Sequence, residues 1–342
     1  MESSTVTMSL CLLFTFCCLF LISSAAPQKA LYKLDDSWPL NTSVFTGQVY
    51  SVDIDEKAGE IYVSQRGVKF HPIVVFSEDG HLKRVLTFDT SVVSMIHGLR
   101  VFQNVTSGQT SVWVTDLGNA TYGHTVKGFS PEGKLETMIG TAGTAGTGLA
   151  PVQFDHVADL AFNEKGEMYI VDGDGGSNNR LIKLSKDFKL MWHVGGPNST
   201  KDGYFDVPHS VELDEHNRVW VADRMNGRLQ AFDADTGKFL GKWTSCFSTG
   251  QPYSVRISKD KTHFIVALLN ESKILLVATP PNAGAIGECV VLDTITLPQN
   301  TAPHLVGVNN KSGVFYVAEL KTHTCQKFVP IERKKNKIYN DL

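Results

Sequence analysis

Hydrophobic positions along this chain come in short bursts rather than helical stripes. Ile61-Tyr62-Val63, Val112-Trp113-Val114, Met168-Tyr169-Ile170-Val171, Val219-Trp220-Val221, Phe264-Ile265-Val266 and Phe315-Tyr316-Val317 are runs of β-branched and aromatic residues bounded by polar ones. Such runs predict buried strands. Their centres, from Tyr62 to Tyr316, are spaced by 51, 56, 51, 45 and 51 residues, which makes six copies near the period of propeller blades. The clearest copy, residues 207–243, predicts strand a over His209–Leu213, b over Val219–Ala222, c over Arg228–Phe232 and d over Phe239–Trp243. Asn226-Gly227 and Asp235-Thr236-Gly237 supply turn chemistry between them. The predicted fold is therefore all-β, a six-bladed β-propeller over residues 27–330. The last copy ends after strand c, near Gln326–Val329, and residues 30–34 are expected to supply the missing strand and close the ring. The Gly/Thr/Ala stretch 140–149 reads as a flexible loop between blades.

Aligning the copies places chemistry on the axis. Counting back from the strand b aromatics puts Ser51, Ala158, His209 and Ser254 at the start of strand a, with His97 and His304 in the two copies of different spacing. Blades two, four and six thus carry His97, His209 and His304, and three imidazoles on alternate blades of a sixfold ring face one point. That is three ligands of a tetrahedral Zn²⁺ site with the fourth position open. The alternative is three channel histidines bonded to backbone and water. Antiparallel pairing puts the ends of strand b on the same rim, which brings up Arg66, Asp116, Asp172, Asp174 and Arg224. Asp223 with Arg228 and Asp172 with Arg180 read as ion pairs bracing loops. Arg66 and Arg224 are candidates for holding a small anionic ligand or a peptide terminus, since guanidinium grips carboxylate in a fork; structural salt bridges are the other reading of each.

Lys and Arg number 32 against 35 Asp and Glu, a net charge of −3, so there is no basic field for nucleic acid. The apolar run Leu10–Ile22, followed by Ser23, Ser24, Ala25 and Ala26, is too short to span a bilayer and predicts a signal peptide over 1–26. An uncleaved anchor is the other reading, and no other stretch could span. Residues 331–342 read as a basic polar tail. A secreted or secretory-lumen protein, monomeric, is expected. Sequons at Asn41, Asn104, Asn119, Asn198, Asn270 and Asn310 predict N-glycosylation. Past the leader the cysteines are Cys246, Cys289 and Cys325. An oxidising compartment and neighbouring blades point to a Cys246–Cys289 disulfide, leaving Cys325 a buried thiol.

The strings FDVPHSVELDEHNRVWVADRMNGRLQAF (205–232) and MYIVDGDGGSNNRLIKL (168–184) resemble NHL repeats, and the likeness covers nearly all of 45–330. More distantly, the chain resembles the peptidyl-α-hydroxyglycine α-amidating lyases, six-bladed NHL propellers whose zinc is held by histidines in His-Gly-Leu, Pro-His-Ser and Pro-His-Asp contexts. His97, His209 and His304 match these in order. Arg66-Gly67 is similar to the family's catalytic Arg-Gly, and Asp223-Arg224 matches a fourth-blade Asp-Arg. Two departures stand out. Asp174 occupies the place of the lyase's proton-handling tyrosine, in a longer loop. Leu305 replaces the aspartate that holds the family's calcium, so a calcium site is doubtful. The resemblance therefore implies a kept metal cage with altered proton chemistry. It favours a metal-holding binding module over a zinc-dependent lyase, although Asp174 could act as a base.

Overall fold

The computed structural model describes residues 30–67, 73–86, 88, 92–117 and 121–332. The predicted signal segment, Asn119 and the Arg333–Lys337 stretch of the tail lie outside these. Six four-stranded antiparallel sheets form the blades. Strand a, nearest the axis, is Gly47–Asp55, Ile96–Gln103, Val157–Phe162, Pro208–Leu213, Pro252–Ile257 and Pro303–Val308 in blades 1 to 6. Strand b follows in each, Arg218–Asp223 in blade 4 for example, and is almost wholly buried there. Among the described residues the only helical pieces are two single turns, Ser245–Phe247 and Leu269–Glu271.

The ring closes as predicted. Tyr32–Asp35 pairs antiparallel with Cys325–Pro330, the third strand of blade 6, with Leu34 opposite Phe328. An outer strand from the other end of the chain thus covers what would be an open edge. Between blades lie apolar layers such as Trp220, Trp243, Phe264 and Val266, where blade 4 meets blade 5. Each such fully buried side chain contributes about 1.5–3 kcal/mol by leaving water. Cys246 and Cys289 are disulfide-bonded, Cα atoms 6.0 Å apart, and Cys325 is a buried free cysteine. The loop 140–149 is not loose as its composition suggested. Asn178 and Arg180 donate to the Gly146 and Thr147 carbonyls, at 2.9 Å each, and tie it to blade 3.

Two glycines set how closely inner strands approach. A Cβ on Gly98 would stand 2.7 Å from the Ala158 carbonyl of the next blade, and one on Gly307 would stand 2.4 Å from that of Val52. Only glycine lets these backbones touch, and Gly98 follows His97 directly.

Candidate metal centre

Every a–b pair has a bulge just inside the start of strand a: the register shifts at Val49/Ser51, Ile96/Leu99, Val157/Asp159, Pro208/Ser210, Pro252/Ser254 and Pro303/Val306. A bulge re-aims the side chain it carries. The residues so placed are Tyr50, His97, Ala158, His209, Tyr253 and His304. Ser51 and Ser254 are therefore not at the histidine position, as counting had placed them. Tyr62 pairs with Asp53 and Ile265 with Arg256, whereas Trp220 pairs with Glu212. The a–b turn is one residue longer in blades 1 and 5, and a one-residue slip reverses the faces of a strand. Ser51, Ser210 and Ser254 instead link neighbouring blades, because their hydroxyls accept the amides of Leu99, Val255 and Val306 on the following blade.

The three imidazoles meet. Ring centroids of His97, His209 and His304 are 4.7, 4.7 and 4.8 Å apart, and one nitrogen from each lies within 4.8 Å of the others. All three rings are buried. In each, Nδ1 is committed to the carbonyl of the bulge residue on the next blade: Ala158 at 2.8 Å, Tyr253 at 2.6 Å and Tyr50 at 2.6 Å. This backbone contact fixes ring orientation and leaves Nε2 for a ligand, as in metal-binding histidines generally. The His209 Nε2 is buried with no hydrogen-bond partner. Burial, then repulsion from His97, pushes the His209 pKa down to about 3, and the same causes hold His304 well below its usual value. Neutral imidazole is the metal-binding form. The donor set, an orphaned buried nitrogen included, fits a divalent metal.

The rim carries charge where the sequence placed it. Asp174 Oδ2 lies 3.1 Å from His97 Nε2, and its Oδ1 accepts from Arg224 Nη1 at 3.1 Å. Burial opposes ionisation of Asp174, but His97 and Arg224 hold its carboxyl well below the usual range. Arg66 donates from Nε to the Ile96 carbonyl at 2.8 Å, and its guanidinium sits 3.5 Å from the centre of the Tyr50 ring. Arg224 lies over Tyr253 at 4.8 Å. Arg66 Nη2 and Arg224 Nε are buried without partners. The predicted loop braces are present: Arg228 Nε to Asp223 at 2.6 Å and Arg180 Nε to Asp172 at 3.1 Å. Asp116 pairs with Lys127 at 2.6 Å. Leu305 is fully buried and offers no ligand atom.

Tyr50 and Tyr253 were missed by sequence reasoning. They orient two of the histidines through their carbonyls and hold both arginines under their rings. The signal was available: Tyr50-Ser51 and Tyr253-Ser254 align with His209-Ser210 once the shared serine, rather than the distant aromatic, sets the frame.

Fold and site together define a propeller of NHL repeats with a three-histidine cage on one rim. No protein-family model matches the chain. Human NHL repeat-containing protein 3 is 47% identical over 304 residues, covering 89% of this chain and 86% of that protein. The chain belongs to the family of NHL repeat-containing protein 3. Peptidyl-alpha-hydroxyglycine alpha-amidating lyase 1 of Drosophila melanogaster is 24% identical over 339 residues, 87% of this chain and 60% of that protein. A solved streptogramin B lyase matches with a TM-score of 0.54 at 16% identity, covering 89% of each chain, and shows the fold alone.

Proposed function

We infer that this protein is a metal-holding binding propeller of the secretory pathway, with His97, His209 and His304 carrying one divalent ion, zinc by the nature of the donors. The observation behind this reading is the common Nδ1-to-carbonyl bond of the three rings, which leaves three buried nitrogens facing one point. Bound zinc would supply a Lewis-acid centre. Arg66 and Arg224, each with an unpartnered buried donor, would receive the carboxylate of a small anionic ligand or peptide terminus. Asp174 would tune that reception by occupying part of Arg224. The disulfide supports an oxidising compartment. Asn41, Asn104, Asn198, Asn270 and Asn310 are exposed, as glycan acceptors must be.

Metal analysis of the purified full chain tests the cage. His209→Ala is expected to hold one ion per chain fewer than wild type; equal metal content would overturn the reading. The likeness to the Drosophila lyase carries a second reading, cleavage of a peptidyl-α-hydroxyglycine to the peptide amide and glyoxylate. No glyoxylate release is expected, because a carboxylate stands in place of the family's tyrosine. Turnover that His209→Ala abolishes would replace the binding reading with the enzymatic one.

A further inference from the structure

A second cluster of histidine and aspartate side chains lies on the same rim, between blades 2 and 3. His124 precedes strand c of blade 2 (Thr125–Phe129), and Asp155 and His156 precede strand a of blade 3 (Val157–Phe162). His156 Nδ1 lies 3.2 Å and His124 Nδ1 4.0 Å from the same oxygen, Asp155 Oδ1. The ring centroids are 5.5 Å apart. His124 is only 8% exposed. Both Nδ1 atoms are buried without a hydrogen-bond partner, a state costly to maintain unless something binds there.

The adjoining blades provide an internal control. The same stations between blades 3 and 4 are Asn179, Asp206 and Val207. Asp155 and Asp206 both donate their amide to the aspartate that ends strand b, Asp172 and Asp223, at 2.8 Å. His156 and Val207 share a left-handed backbone, φ 62° and 58°. In the second set Asn179 Oδ1 simply accepts the Val207 amide at 2.8 Å. The scaffold is thus common to both junctions, and the two imidazoles are what the first one adds.

We propose that His124, His156 and Asp155 form a second cation site, for a borderline divalent transition ion such as Zn²⁺ or Co²⁺. Two imidazoles and one carboxylate are an established ligand set for such ions. Closing on one ion, with bonds of about 2.0–2.2 Å, requires the two rings to turn toward each other. His156, 37% exposed at its side chain, opens the site to solvent. Burial and the neighbouring His156 lower the pKa of His124, and although burial opposes it, Ser177 and the two imidazoles keep Asp155 below its usual value.

The site also grips the loop that aims Asp174. The His156 carbonyl accepts the amides of Gly173 at 3.1 Å and Asp174 at 2.9 Å. Asp155 Oδ2 accepts both the amide and the hydroxyl of Ser177 at 2.8 Å. An ion fixing Asp155 and His156 therefore fixes both ends of the segment holding Asp174 against His97.

Chelator-stripped full chain, equilibrated with Zn²⁺ near neutral pH and freed of unbound metal, gives the test by ion counting. Wild type is expected to hold two ions and His209→Ala one. His124→Asn and His156→Asn, which keep a residue tolerant of positive φ, are each expected to hold one. His124→Asn combined with His209→Ala should hold none. Zinc added to His209→Ala should slow amide exchange across residues 173–177 at least tenfold, and should do nothing in the double variant. A single wild-type ion, lost in His209→Ala and kept in His124→Asn and His156→Asn, overturns the second site and leaves the three-histidine cage standing. A single ion lost in His124→Asn but kept in His209→Ala removes the cage and leaves the second site. Near-UV circular dichroism matching wild type shows that each variant is folded. Should His124→Asn fail to fold, the half-exposed His156→Asn decides.

Discussion

The two ends of the central channel bury similar kinds of polar groups and do different things with them. At the end where strands a begin, three imidazoles commit one nitrogen to backbone and turn the other toward a common point, where His97 Nε2 meets Asp174 and His209 Nε2 has no partner. At the end where strands a finish, a cavity of about 700 Å³ opens between the a–b turns, with Asp53, Arg100, Glu212 and Arg256 among its lining. A cavity of that volume invites reading as a binding site. Its buried charges, however, are matched internally. Asp159 Oδ2 accepts Ser210 Oγ at 2.9 Å and Arg256 Nη2 at 3.0 Å. Arg100 donates to the Leu160 and Val211 carbonyls at 2.7 and 3.0 Å. Even the atoms without a hydrogen bond, Asp159 Oδ1 and Arg256 Nε, have an opposite charge at 3.9 and 4.0 Å. The lesson is that burial of polarity does not mark function. What sets the histidine end apart is polarity left over there after the fold has satisfied itself, at His209 Nε2, Arg66 Nη2 and Arg224 Nε.

Breaking the closed network should produce the largest loss. Asp159→Ala leaves Arg100 and Arg256 buried against too little negative charge, and is expected to cost about 3–5 kcal/mol in urea unfolding. A loss below about 1 kcal/mol would show that water already screens this end.

The next effect is a pH dependence at the same end. Burial, against the pull of Arg100, raises Asp53 from 3.8 to about 6. Between these values the unfolded chain gives up its proton while the folded one keeps it. This group's contribution therefore falls as pH rises from about 4 to about 6, by up to about 3 kcal/mol, and stays level above. Asp53→Asn keeps an acceptor for the Val101 amide, which Asp53 now receives at 2.8 Å. It should gain stability relative to wild type as pH rises from about 4 to about 6, and keep that gain above. Parallel stability curves for the two proteins would contradict the raised value.

The smallest effect sharpens the contrast. In chelator, His209→Ala is expected to cost about 1 kcal/mol, the worth of one hydrogen bond to the Tyr253 carbonyl, while abolishing metal binding at the cage. If it cost as much as Asp159→Ala, the histidine end would be structural too.

Much of this was legible beforehand. Strand runs, blade period and the alternation of His97, His209 and His304 follow from local pattern repeated at long spacing, so they survive small errors of count. Ring closure by residues 30–34 followed from one missing strand, and the Cys246–Cys289 bond from the expected compartment and blade adjacency. The identity of the residues between the histidines did not follow. One extra turn residue in blades 1 and 5 moved Tyr50 and Tyr253 into the places assigned to Ser51 and Ser254.

The sequence by itself determined the architecture and the three imidazoles, because a repeat writes the same instruction six times and its exceptions show. Only the tertiary structure decided which atoms remain free. That depends on bulges a single residue wide, on the path of the 173–179 loop that carries Asp174 to His97, and on the junction that joins His124 to Asp155 and His156 from another blade. Such contacts join residues with no fixed spacing, and an atom is free or satisfied only by what the rest of the chain brings within about 3 Å of it.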